Sequence, residues 1–190
     1  VGTRMVKFKT AALVCSVFVI LGAIISGAGT TETLGKLGAI NALPGAFAVC
    51  VAAGLSVYIM TKFGLPVSTT QAIVGAIVGW NLYTGSSTNI KVLLTILSTW
   101  ILCPIIAALI AMLFFILTKK LLKNTTWHIL RLDAYTRTAL LIAGAFGAYS
   151  LGANNIANVM GVFVPIAPFA DIQLGSFLTF SSKEQLFLLG

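Results

Sequence analysis

The sequence predicts an all-α polytopic membrane protein with discontinuous helices, and three observations carry that prediction. Of the 190 residues 58% are hydrophobic and only 8% charged, with a mean hydropathy of +1.04, whereas a soluble domain carries about 25% charged residues. The apolar residues gather in runs of roughly the 20 residues that a bilayer core asks of a helix. The twelve Lys and Arg against four Asp and Glu, a formal charge of +8, sit in short clusters between those runs and not along one polar face. Together these features exclude an ordinary cytosolic enzyme and a nucleic-acid partner, and they make the lipid bilayer the solvent. Cys15, Cys50 and Cys103 lie inside apolar runs without C-x-x-C spacing and read as small packing residues. Val1 at one end and the apolar residues 186–190 at the other lead us to expect a fragment.

Taken in order, residues 10–29 form an uncharged first span and residues 43–60 a second. Residues 90–118 form a third, with Lys91 at its edge and Pro104 inside. Between the second and third lies GLPVSTTQAIVGAIVGWNLYTG, residues 64–85, which Pro66, a Ser-Thr-Thr cluster and glycines interrupt. It reads as a discontinuous segment. The last run begins near Thr138 and enters GANNIANVMGVFVPIAPF, where three asparagines break the apolar stretch, so a second broken helix is expected. Gly22, Gly27 and Gly29 read as close-packing contacts.

Lys and Arg in short loops set orientation, so Arg4, Lys7 and Lys9 place the start of the chain in the cytoplasm. The loop with Glu32 and Lys36 has no basic excess, and a second crossing returns the chain to Lys62. The richest loop, residues 119–137, holds Lys119, Lys120, Lys123, Arg131 and Arg137 against Asp133 and should also be cytoplasmic. An even number of crossings must then separate Lys62 from Lys119, which requires residues 64–85 to cross as broken half-helices. Trp127 and His128 in this loop fit an interfacial belt, and His128 reads as structural.

No Asp, Glu, Lys or Arg falls inside a predicted span, which argues against a proton relay, a voltage sensor or an acid–base pair at depth. The polar atoms there are neutral and form two clusters: Ser68, Thr69, Thr70 and Gln71, and then Asn154, Asn155 and Asn158. Irregular backbone is tolerated at membrane depth only inside protein or along a wet cavity, so both clusters are candidate cavity walls. After Pro66 a helix would begin, leaving free N–H groups and partial positive charge that suit an anion. Alternatively the hydroxyls cap the helix or bond back to a carbonyl. Asn154 and Asn158 share a helical face while Asn155 points about 100° away. Their amide oxygens suit sodium, with hydrogen bonding between helices as the other reading.

Two stretches, GLPVSTTQAIVGAIVGW and GANNIANVMG, resemble the inorganic phosphate transporter (PiT) family, the second being close to its repeated motif G-x-N-D-x-A-N-A. VGTR at the start and TTETLGKLG at residues 30–38 resemble further family stretches. The resemblance implies an inverted-repeat secondary transporter: residues 1–133 would be most of the first repeat without its first motif helix, and residues 134–190 the start of the second. The charge pattern agrees, since the two motif copies would run in opposite directions. Symport of inorganic phosphate with sodium or protons is implied, with sulfate carried by some relatives; an uncoupled anion channel is the rival of another class.

By position, the resemblance places substrate on Ser68, Thr69, Thr70, Gln71, Asn154 and Asn158, and sodium on Asn154, Asn155 and Asn158. Asn155 stands where the family has aspartate, Gln71 where many members have histidine, and Val159 where alanine is usual. No covalent catalysis and no cofactor beyond the coupling sodium or proton is expected, because His128 has no partner at depth with which to activate a nucleophile. The cell membrane is the expected location, and a homodimer is left open.

Overall fold

The computed structural model describes residues 6–38, 40, 42–123, 129–166, 172–174, 178–180, 185 and 187. They form α1 (Phe8–Gly35), α2 (Leu43–Lys62), α3 (Thr69–Thr84), α4 (Ile90–Lys123) and α5 (Ile129–Met160), then a 3-10 turn at Val164–Ile166. A short antiparallel pair follows, β1 (Ile172–Leu174) and β2 (Leu178–Phe180), with Gln173 opposite Thr179. Helices α1, α2, α4 and α5 are long and apolar enough to cross a bilayer. At about 1.5 Å per residue α4 reaches about 51 Å, whereas α3 extends only about 24 Å. The chain is an all-α polytopic membrane protein.

Helix α2 carries Pro44 in its first turn, where a missing N–H costs nothing, and closes on Gly64 at φ +68°. There the N–H of Gly64 reaches the Thr61 carbonyl and that of Leu65 the Met60 carbonyl, both at 3.0 Å. Two terminal carbonyls are thereby satisfied and the chain turns back. Pro66 disfavours helix at the residue before it, and residues 65–68 are irregular. Ser68 then caps α3, its Oγ accepting the Gln71 N–H at 3.3 Å. Gly45 near the start of α2 faces the Trp80 ring near the end of α3, so the two helices are antiparallel. The expected pair of half-helices in residues 64–85 is therefore one irregular stretch and one helix.

The second expected break is absent. Helix α5 runs unbroken through Asn154, Asn155 and Asn158 to Met160. An asparagine costs a helix interior under about 1 kcal/mol relative to alanine, and Asn158 spends its amide sideways on α3 and on Asn155 instead of on its own backbone. The helix stops afterwards, at Gly161 and the turn before Pro165.

Helices α1 and α5 run parallel. The pairs Gly22 with Tyr149, Gly27 with Ile156 and Gly161 with Leu34 advance together along both chains. Gly22 lies against the Tyr149 carbonyl and Gly152 against the Val19 carbonyl, so a methyl on either would collide with backbone. This close approach is the contact small residues permit between membrane helices. Thr30 adds a bond from its Oγ1 to the Ala153 carbonyl at 2.8 Å. Parallel α1 and α5 put Lys7 and Lys9 on the same side as Arg131 and Arg137, as the charge pattern requires. The basic loop itself is shorter than expected, because α4 continues to Lys123 and α5 begins at Ile129. Asp133 and Arg137 pair at 2.9 Å within α5. Arg4, Trp127 and His128 fall outside the described residues.

The core gathers where α3 meets the start of α2, the first turns of α4 and the end of α5, around Leu37, Val49, Ile73, Ile77 and Ala157. Residues 101–123 of α4 are exposed throughout, an apolar surface for lipid or further protein.

Candidate functional site

The first turn of α3 ends inside the bundle. Thr70, Gln71 and Val74 share a cavity of about 540 Å³ with Thr99, Trp100, Cys103 and Pro104 of α4, Thr30 and Thr33 of α1, and Asn154 and Asn158 of α5. Those α4 residues lie about 15–20 Å from its Ile90 end and about 30–35 Å from its Lys123 end, which places the α3 tip deep within the span. The volume is in the range of small-molecule sites, about 300–1,000 Å³.

One amide joins the two predicted clusters. Asn158 Nδ2 donates to Thr70 Oγ1 at 3.1 Å, to Thr69 Oγ1 at 3.2 Å and to Asn155 Oδ1 at 3.2 Å. All three bonds converge on one end of the Asn158 amide. Asn158 Oδ1 is buried without a hydrogen-bond partner. Thr69 and Thr70, accepting from Asn158, keep their own protons, and they sit at the positive end of the α3 dipole.

The remaining predicted residues fall into place unevenly. Gln71 and Asn154 line the cavity. Ser68 acts as the helix cap, the structural role weighed for it. Asn155 faces a second cavity of about 330 Å³ between α1 and α5, lined by Val19, Ala23, Gly152 and Phe187, and its oxygen is bonded by Asn158, which in turn reaches the first cluster. The sequence reading missed Thr30, Thr33, Thr99 and Trp100. Thr30 and Thr33 are spaced three apart, on one face of a helix, and Pro104 interrupts the apolar run beside Thr99 and Trp100. Those were the available signals.

Comparison with known proteins bears on the family. The sequence model of the Phosphate transporter family matches residues 1–133. A Thermococcus kodakarensis protein named "Putative phosphate permease" is 37% identical over 135 residues, 65% of this chain and 33% of that protein. A Methanocaldococcus jannaschii protein with the same designation is 41% identical over 99 residues, 52% of this chain and 33% of that protein. The sulfate permease CysP of Bacillus subtilis is 32% identical over 171 residues, 86% of this chain and 46% of that protein. The chain thus spans between a third and a half of the length of these relatives. No solved structure matches it. With most of its length under the family model, and its two polar clusters joined at depth, the chain belongs to the phosphate transporter family.

Proposed function

We propose that the chain is part of a secondary active symporter that carries inorganic phosphate across the cell membrane, coupled to sodium or protons. The observation that carries the reading is the pair of hydroxyls, Thr69 and Thr70, that Asn158 bonds at the N-terminus of α3, with Thr70 lining the cavity. An oxyanion there would take hydrogen bonds in place of its hydration shell. Even on lenient scales a charge at the bilayer centre costs several kcal/mol. The helix end offers roughly half an elementary charge, and among the described residues no Lys or Arg lines the cavity. A co-transported cation would supply the rest, with amide oxygens of Asn154, Asn155 and Asn158 as its candidate ligands. In this reading the chain holds most of one inverted repeat and the start of the other, and alternating access is the rocking of the repeats around the site.

The similarity to a sulfate permease over 86% of the chain makes sulfate the second reading. Uptake of radiolabelled phosphate into sealed vesicles by the full-length protein separates the possibilities. Accumulation driven by a sodium or a proton gradient, without competition from sulfate, is the expected result. Suppression by sulfate would move the substrate to that anion, and equilibration without accumulation would mean an uncoupled channel.

A further inference from the structure

The threonines around the cavity fall into two chemical classes, set by where each sits in its helix. Inside a helix a threonine hydroxyl donates to the carbonyl three or four residues back. Thr33 does so to Gly29 at 3.0 Å, and Thr99 does so to Thr95 at 2.8 Å and Ile96 at 2.7 Å. With its proton committed, each hydroxyl offers the cavity lone pairs alone. Thr69 and Thr70 occupy the first turn of α3, where no helical carbonyl lies behind them. Each accepts from Asn158, and neither donates to another described residue. Pro104 sharpens the contrast. Lacking an N–H, it leaves the Trp100 carbonyl without its helical donor, and Thr99, Trp100 and Pro104 line the same cavity. The cavity therefore has a donor wall at Thr70 on α3, with Thr69 beside it just outside the lining, and an acceptor wall at Thr33 and Thr99 on α1 and α4.

We propose that this division selects oxyanions that bring their own proton: Thr69 and Thr70 donate to bare oxygens, and the Thr33 and Thr99 oxygens accept the hydrogen of a protonated one. The inference rests on the phosphate reading above and deepens it. At neutral pH phosphate and arsenate each keep at least one proton, whereas sulfate and selenate, tetrahedral ions of similar size, keep none. The donor wall alone does not separate the two pairs, because all four ions accept hydrogen bonds. Against the acceptor wall a bare oxygen meets lone pairs and is repelled, while a P–OH or As–OH group forms a hydrogen bond.

The test is uptake of radiolabelled phosphate by the full-length protein in proteoliposomes at neutral pH, competed with arsenate, sulfate and selenate. It compares the native protein with Thr33→Val, Thr99→Val and the double variant, since valine keeps the shape of threonine without its lone pairs. Serine at the same positions retains the hydroxyl, and alanine replaces valine if a valine lowers abundance. In the native protein arsenate competes while sulfate and selenate do not. Valine raises the half-saturation concentration for phosphate about tenfold, the loss of one hydrogen bond, and the advantage of arsenate over selenate as a competitor shrinks; serine leaves both unchanged. Valine variants with native half-saturation and native exclusion of sulfate would overturn the acceptor wall while the phosphate reading stands. Transport of sulfate or selenate by the native protein would overturn the selection itself. Absence of any phosphate accumulation would instead defeat the underlying reading, and this inference with it.

Discussion

Asn158 is the most informative single position, because its amide connects α5 to the α3 tip. Replacing it with leucine, of similar size, removes donated bonds to Thr69, Thr70 and Asn155 at 3.1–3.2 Å. The NH₂ group has two hydrogens, so two bonds' worth of energy is at stake. Side-chain bonds between membrane helices average about 0.6 kcal/mol and neutral bonds elsewhere reach about 1.5 kcal/mol, giving about 1.2–3 kcal/mol in all. At about 1.4 kcal/mol per factor of ten, the tip would lose about 7- to 150-fold in its docked population. Leucine also removes the buried oxygen that has no partner, which offsets part of the loss and favours the lower end. We therefore expect Asn158→Leu to raise the half-saturation concentration for phosphate uptake about tenfold at unchanged membrane abundance. The assay is initial-rate uptake in vesicles normalised to immunoblot. A half-saturation value within twofold of native would refute the claim that this amide organises the site.

Other perturbations follow from the same geometry. Gly22→Ala or Gly152→Ala places a methyl against a backbone carbonyl of the partner helix; overpacking of this kind costs about 1–3 kcal/mol, which should appear as lower thermal stability in detergent. Asn155→Ala should abolish cation-dependent uptake if its oxygen is a cation ligand, and unchanged cation dependence would remove that role. Cys15 and Cys103 are both exposed, but of the two Cys103 alone lines the cavity. A small charged thiol reagent should therefore inhibit uptake through Cys103 with protection by phosphate, and inhibition that persists in Cys103→Ser would contradict the assignment.

The spans were legible because the bilayer demands long apolar runs, and residues 10–29, 43–60 and 90–118 fall within α1, α2 and α4. Direction was legible too: the basic clusters at residues 4–9 and 119–137 imply what the parallel packing of α1 and α5 displays. The asparagines misled for an identifiable reason. Polar residues in an apolar run suggest a break when their partners are unknown, and the partners of Asn158 lie 88 and 89 residues away on α3. Only the folded chain supplies them. Ser68 to Gln71 was legible as a helix start, since proline followed by Ser-Thr-Thr-Gln carries capping chemistry. Thr33 and Thr99 were not, because each is an ordinary hydroxyl among apolar neighbours until α1 and α4 close around one cavity.

The central claim, that the first-turn hydroxyls of α3 hold the anion, is tested most directly by phosphate binding to the purified full-length protein. Titration calorimetry would compare the native protein with the Thr69→Val, Thr70→Val double variant. Two hydrogen bonds to an anion, each about 1.5 kcal/mol or more, predict at least a hundredfold loss of affinity, to which the lost Asn158 bonds add, with the helical fold retained. Equal affinity in the two proteins would contradict the account.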